Sequence, residues 1–344
     1  MYYCGLDVST KSTHVRIDDE QGRRVKHAVV ATTPSGIAQA LMHYAAKGLR
    51  VAIEAGGHTA WIHDVLVELG AKVHVVHPVK VKWIAESKRK TDRVDAELLA
   101  QLLRIGGLPQ PVHMPGRRSR ELRALLSARR QLVRARTKLI NVVRGLLRQQ
   151  QVTVRARALT TGRAWQELGN IALSPALREI VETYRVTVAA TTTALKALDR
   201  ELDTRARSDR RVTQLQTIPG VGQVSAQTLV ATVDRIERFP TAKKLVAYSG
   251  LVPSVRASGE RVTYGRITKQ GRSEIRAVWV QAAHAVLAVK GAAARPLQRW
   301  CERIARRRGK KTALVALARK LLTIAYHMLR EGTTYDPRRV RCAA

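Results

Sequence analysis

Aromatic side chains make up only 4% of these 344 residues, with a single Phe. Alanine and small aliphatics must fill the cores, which favours helices, and few rings are available for stacking on bases. Cysteine is nearly absent: Cys4, Cys301 and Cys342 form no CxxC pair and no Cys/His cluster at zinc-site spacing. That argues against a disulfide scaffold or a zinc site and fits a reducing cytoplasm. No segment reads as a signal peptide, a spanning helix or a phosphate-cradling P-loop. Above all, acids are scarce: 26 Asp and Glu stand against 62 Lys and Arg, a formal net charge of +36.

What is present follows from that imbalance. A cationic excess of this size implies a large polyanion, because each neutralised phosphate releases a condensed counterion. The chain has neither the low complexity nor the purely basic tail of a packaging protein, and a hydrophobic content of 45% is ordinary for globular protein. Double-stranded DNA or structured RNA is the expected partner, with no membrane and a nucleoid-associated cytoplasmic location.

The length accommodates two or three domains. Residues 1–108 alternate strand and helix signals: "YYCGL", "HVRID" and "RVKHAVV" are β-like runs, a helix follows Pro34, and "RVAIEA" and "KVHVVH" are further strands around the helix "TAWIHDVLVEL". This order predicts a mixed α/β sheet covered by helices. The Gly- and Pro-containing "GGLPQPVHMPG" ends the domain. Residues 109–210 read as a helical coiled-coil or oligomerisation region. Leu125, Leu132, Leu139 and Leu146 repeat every seven residues, and Leu177, Val181, Tyr184, Val188, Leu195 and Leu202 form a second stripe. Such seams pair either within one chain or between subunits. Arg123, Arg130, Arg134, Lys138 and Arg148 then lie on basic faces free for nucleic acid. Residues 211–344 read as mainly helical and strongly basic, interrupted by a Gly- and Ser-rich loop between Ser249 and Gly271.

Against this background the carboxylates stand out. Asp7 ends the first strand in "GLDVSTK", Glu54 ends the fourth in "AIEAGG", and Asp92 and Asp95 in "KTDRVDAELLA" project one turn apart from one helix. Four such side chains converging would hold one or two Mg²⁺ ions, with Mn²⁺ as substitute, for phosphodiester chemistry. The plainer reading of Asp92 and Asp95 is a negatively charged helix start. "IPGVGQVSAQTLVA" has the Gly-x-Gly turn of a helix-hairpin-helix, in which Gly220 and Gly222 let backbone N–H groups approach phosphate. A turn between core helices is the simpler alternative. In "GLVPSVRASGERVTYGRITKQGRSEIR", Ser249, Ser254 and Ser258 are loop serines, ordinarily turn formers, of which Ser258 is the candidate nucleophile. Arg256, Arg261, Arg266, Lys269 and Arg272 of that segment are the expected nucleic-acid contacts.

Taken in order, these motifs resemble the DEDD-type insertion-sequence transposases related to Piv DNA invertases. The resemblance covers nearly the whole chain. It implies a ribonuclease H-like N-terminal domain similar to Holliday-junction resolvases, with the acidic tetrad on Asp7, Glu54, Asp92 and Asp95. It also implies a C-terminal transposase domain whose nucleophilic serine falls on Ser258, before Gly259. The activity implied is excision and insertion of a mobile element through a covalent phosphoserine, assisted by Mg²⁺. Assembly of dimers into a tetramer and guidance by a structured non-coding RNA are also implied. Gly56 departs from the family, which more often carries Thr or Ser there. The rival enzyme is a metal-dependent Holliday-junction resolvase or nuclease without a serine nucleophile. The rival of another class is a non-catalytic nucleic-acid-binding protein.

Overall fold

The computed structural model describes residues 1–82, 92–154, 158–258 and 261–340, without the side chains of residues 82, 92, 93, 158 and 261. Two compact units, Met1–Pro115 and Gly116–Ala344, divide the chain.

In the first unit, β1 (Tyr2–Val8), β2 (Ser12–Asp18) and β3 (Arg24–Ala31) form an antiparallel meander. Helix α1 (Pro34–Ala45) starts where the Thr33 hydroxyl accepts from Gly36 N–H, with Pro34 at its first position. Then come β4 (Leu49–Glu54), α2 (Thr59–Glu68), β5 (Lys72–Val76), the short α3 (Pro78–Lys82) and α4 (Asp92–Arg104). The strands form one mixed sheet in the order β3-β2-β1-β4-β5, with β1, β4 and β5 parallel. Alternation sorts the side chains to two faces. Cys4, Leu6, Val51 and Ile53 pack with Ile37, Leu41, Ile62 and Leu66 of α1 and α2. Tyr3 and Ala52 pack on the opposite face with Leu99 and Leu103 of α4.

The second unit begins with α5 (Arg117–Gln149), followed by α6 (Gly162–Gly169) and α7 (Pro175–Arg207). The two long helices run antiparallel within the chain. Glu121 meets Arg205, Arg129 meets Asp199, and Ile140 and Val143 share a core with Val181 and Val188. On α7 the seven-residue repeat is kept in burial, at Val181, Val188, Leu195 and Leu202. On α5 the most covered positions are Leu122, Ile140, Val143 and Leu147, whereas Leu125, Leu132, Leu139 and Leu146 are only partly buried.

A helical core follows: α8 (Arg210–Gln216), α9 (Gln223–Val233), α10 (Ala242–Tyr248), α11 (Ser273–Ala288), α12 (Arg295–Arg308) and α13 (Lys310–Glu331), with β6 (Pro253–Ser258) and β7 (Arg261–Ile267) between α10 and α11. Contrary to the sequence expectation, α13 is long and apolar enough to span a membrane by composition. Its Leu317, Ala318, Leu321 and Leu322, however, are fully enclosed in the same core as Trp279 and Leu229. The segment expected as a loop between Ser249 and Gly271 is largely a β-hairpin. Its strands escaped notice because both faces are exposed and its apolar residues are interspersed with Arg, Ser and Gly.

Candidate active site and nucleic-acid contacts

The placement of the carboxylates follows from strand register. Leu6 pairs with Ile53 across the parallel β1–β4 ladder, so Asp7 and Glu54 come next on neighbouring strands, at their carboxyl ends. Residues at matching positions of a parallel pair point to one face. Since Gly5 and Ala52 face α4, so do Asp7 and Glu54.

Helix α4 lies directly on β1. A Cβ on Gly5 would sit 2.0 Å from the Ala96 carbonyl oxygen and 2.7 Å from the Ala100 nitrogen, so only glycine admits the helix. Beside this contact, buried Arg16 donates to Asp18 at 2.6 Å and pairs with Glu97 at 3.2 Å, tying α4 to β2. Leu99 and Leu103 pack with Tyr3, toward the start of β1. The helix therefore runs opposite to β1, and its first turns, with Asp92 and Asp95, point toward the end of β1 that carries Asp7. Asp7, Glu54 and Asp95 are each partly buried. The side chain of Asp92 and the basic run that precedes it lie outside the described residues.

Thr59, which sequence reasoning missed, fixes the backbone after Glu54. Its buried hydroxyl accepts from Gly56 N–H at 2.7 Å and donates to the Glu54 carbonyl at 2.8 Å. The departure at Gly56 therefore leaves the turn anchored. Among the described residues, no three His, Cys, Asp or Glu side chains lie close enough together to hold a metal ion. The fold brings Asp7, Glu54 and Asp95 to one end of one face, without gathering them into a finished cage.

In the second unit the three candidate serines part company. Ser249 is buried and donates to the Val246 carbonyl at 2.6 Å, so it closes α10. Ser254 fills the space opposite Gly265, where a Cβ would meet its Oγ at 2.4 Å. Ser258 is exposed at the end of β6, paired across the hairpin with Arg261. Gly259 and the Arg261 side chain lie outside the described residues. The hairpin base is clamped to α10: Arg272 N–H donates to the Tyr248 carbonyl at 2.8 Å, and Gly271 takes a left-handed φ of 101° where a Cβ would strike that carbonyl.

Among the expected phosphate contacts, Arg256, Arg266 and Lys269 are exposed. Arg272 is partly buried and donates to the Tyr248 hydroxyl at 3.1 Å. Gly220 needs its glycine for internal reasons: φ is +80°, and a Cβ would lie 2.6 Å from the Val286 nitrogen of α11. Gly222 caps α9 and faces open space. Arg123 departs from the expectation of a free cation. It reaches back to the last turn of α9, donating to the Ala231 and Thr232 carbonyls at 2.8 Å each. Burial, and next the neighbouring Arg272, push its guanidinium below the ordinary arginine value. Cationic side chains near a helix C-terminus satisfy its orphan carbonyls.

Two family profiles match the chain. One, described as a DEDD transposase of the IS110 type, takes in residues 4–151, and the other, described as transposase IS116/IS110/IS902 family, residues 212–298. The first covers the carboxylate-bearing sheet and the second the turn at Gly220 together with the serine hairpin. The chain is 28% identical to the transposase for insertion sequence element IS1111A of Coxiella burnetii, over 99% of this chain and 88% of that one. It is likewise 28% identical to the pilin gene-inverting protein of Moraxella bovis, over 86% of this chain and 84% of that one. Sheet, carboxylate positions and matched segments define an enzyme class, the transposases and site-specific recombinases. Within that class the chain belongs to the DEDD-type insertion-sequence transposases.

Proposed function

We propose that this transposase excises and inserts a mobile DNA element by serine attack on phosphodiesters, assisted by a divalent cation at Asp7, Glu54, Asp92 and Asp95. The observation that carries the reading is the convergence of Asp7, Glu54 and the first turns of α4 at one end of one sheet face. A donor set of carboxylate oxygens alone, without thiolate or imidazole, suits a hard ion such as Mg²⁺ or Mn²⁺. Bound there, such an ion would offset phosphate charge and stabilise a developing oxyanion. The antiparallel meander continued by two parallel strands, with α4 across it, supports a ribonuclease H-like reading of the first unit.

Ser258 is the nucleophile of this reading. Its Oγ forms a bond to phosphorus as one DNA P–O bond breaks, and the hydroxyl proton passes to the departing oxygen by way of solvent. The phosphoserine conserves the phosphodiester bond, so a second DNA hydroxyl can reverse the step and rejoin the strands without ATP. Exposure at the end of β6 leaves the hydroxyl accessible to a bulky duplex.

Homodimers joining into a tetramer, with the serine of one subunit completing the carboxylate site of another, belong to the same reading. So does guidance by a structured RNA, which fits a chain of net charge +36 with 4% aromatics: base pairing supplies sequence, and cations hold the backbone. The test is Ser258→Ala assayed with element-end DNA and co-purified RNA. Loss of both strand transfer and the covalent protein–DNA adduct is expected. A variant that still cuts would favour the resolvase-type alternative, in which water is the nucleophile.

A further inference from the structure

Helices α5, α9 and α11 of the second unit enclose a cavity of about 570 Å³. Its charge is one-sided. Among the described residues, Arg123, Arg129, Arg130, Arg134 and Arg272 line it, faced by one carboxylate, that of Glu274. Three of these cations have internal work: Arg123 holds the end of α9, Arg129 is paired with Asp199, and Arg272 donates to the Tyr248 hydroxyl. Arg130 does not. Its Nε is buried and meets no hydrogen-bond partner among the described residues. Leaving a buried guanidinium N–H unpaired among other cations is costly unless an anion arrives.

Other features of the cavity narrow the ligand. Its volume falls within the range of pockets that take a nucleotide-sized group. Among the described residues no aromatic side chain lines it, so bases find no stacking surface there. Val133, Val224 and Val278 supply apolar wall, which suits a sugar. An adjoining concavity continues along α5 past Val133, Arg134, Thr137, Lys138 and Asn141. Arg130, Arg134 and Lys138 thus recur every four residues, a step of about 6 Å along the helix, comparable with the reach between consecutive phosphates of an extended strand.

We infer that this cleft on α5 is a binding track for the sugar–phosphate backbone of one nucleic-acid strand, entered at Arg130 and continued by Arg134 and Lys138. It rests on the proposed nucleic-acid chemistry and adds to it a site remote from the hairpin serine in sequence. Arg guanidinium forks bind phosphate in two-point fashion, whereas Lys138 acts as a point charge. The track holds without reading sequence.

The experiment measures salt dependence of binding by full-length protein, using labelled duplex DNA and a hairpin RNA with single-stranded tails, for wild type, Arg134→Gln, Lys138→Gln and Arg130→Gln. Each substitution should lower the slope of log affinity against log salt by about 0.9 on duplex or about 0.7 on single strands. A change confined to DNA or to RNA identifies the strand that occupies the cleft, and a change in both assigns it to backbone in general. Arg134 and Lys138 are exposed, so their variants will fold even if Arg130→Gln does not. If wild type binds steeply while the Arg134 and Lys138 variants keep its full slope, the cleft assignment is wrong and the wider function stands. If wild type shows no salt-dependent binding to either probe, both fall.

Discussion

Gly5 lies so close beneath Ala96 that a Cβ would fall 2.0 Å from that residue's carbonyl oxygen. The neighbour is helix backbone, which cannot turn aside as a side chain would. Gly5→Ala must lift α4 from β1, at a cost upwards of about 3 kcal/mol, the top of the usual overpacking range. Since Asp95 rides on the same helix, recombination should fail together with the thermal midpoint. A variant with wild-type midpoint would show that α4 does not sit where the Gly5 contact puts it.

Thr59 offers a gentler disturbance of the same site. Its hydroxyl spans Gly56 N–H and the Glu54 carbonyl, so Thr59→Val keeps the shape and removes both bonds. Groups that orient metal-binding carboxylates typically contribute 10- to 100-fold to activity, and a loss in that range is expected here. The midpoint should fall by about 1–3 kcal/mol equivalent. Thr59→Ser, which restores the hydroxyl, should recover activity more fully than stability. Equal loss in the Ser and Val variants would remove Thr59 as a positioning residue.

Much of this architecture is legible from residue order alone. Period-two runs mark β1 to β5, and the seven-residue spacing of Val181, Val188, Leu195 and Leu202 marks the buried stripe of α7. Asp7 and Glu54 are recognisable as strand-end acids, but their common face depends on the Leu6–Ile53 pairing, a long-range register no local pattern contains. Arg123 reads as one more cation on a basic face, because its carbonyl partners lie over a hundred residues downstream, with |i−j| of 108 and 109. The serine hairpin evades the eye for another reason. With Val255, Val262 and Tyr264 all exposed, no burial enforces the clean alternation that advertises a half-buried strand.

Asp209 makes a pH prediction with a definite sign. It caps α8, accepting from the Arg211 backbone N–H at 3.0 Å and from the Arg211 guanidinium at 2.7 and 3.0 Å. Burial raises its carboxyl, and the hydrogen bonds and charge of Arg211 outweigh this, holding it below the ordinary aspartate value. A depressed native value means the stabilisation is full above the unfolded value, about 3.9. It is lost as pH falls through the lower native one. Asp209→Ala should therefore cost about 1 kcal/mol at pH 7, with the deficit shrinking at pH values below that of the unfolded carboxyl. Asp209→Asn, which retains a capping oxygen, should cost less at pH 7. Urea titrations across the acid range follow both variants, and a deficit that grows on acidification would reverse the assignment.

The carboxylates themselves make the last prediction. Asp7, Glu54 and Asp95 lie toward one end of one sheet face, and a cation that binds the folded protein alone must stabilise it. The gain is RT ln(1 + [Mg²⁺]/Kd), about 2.7 kcal/mol at a hundredfold excess over Kd. On the proposed reading, Asp7→Asn removes one of the ligands. The magnesium-dependent rise in midpoint should then shrink strongly, whatever the metal-free midpoint becomes. Calcium, also a hard oxygen-seeking ion, should give a rise in wild type without supporting strand transfer if geometry governs the chemistry. Midpoints measured with magnesium, with calcium and with chelator separate these effects. Identical magnesium shifts in wild type and Asp7→Asn would mean that the ion binds elsewhere, and the carboxylates would revert to the role of a polar sheet edge.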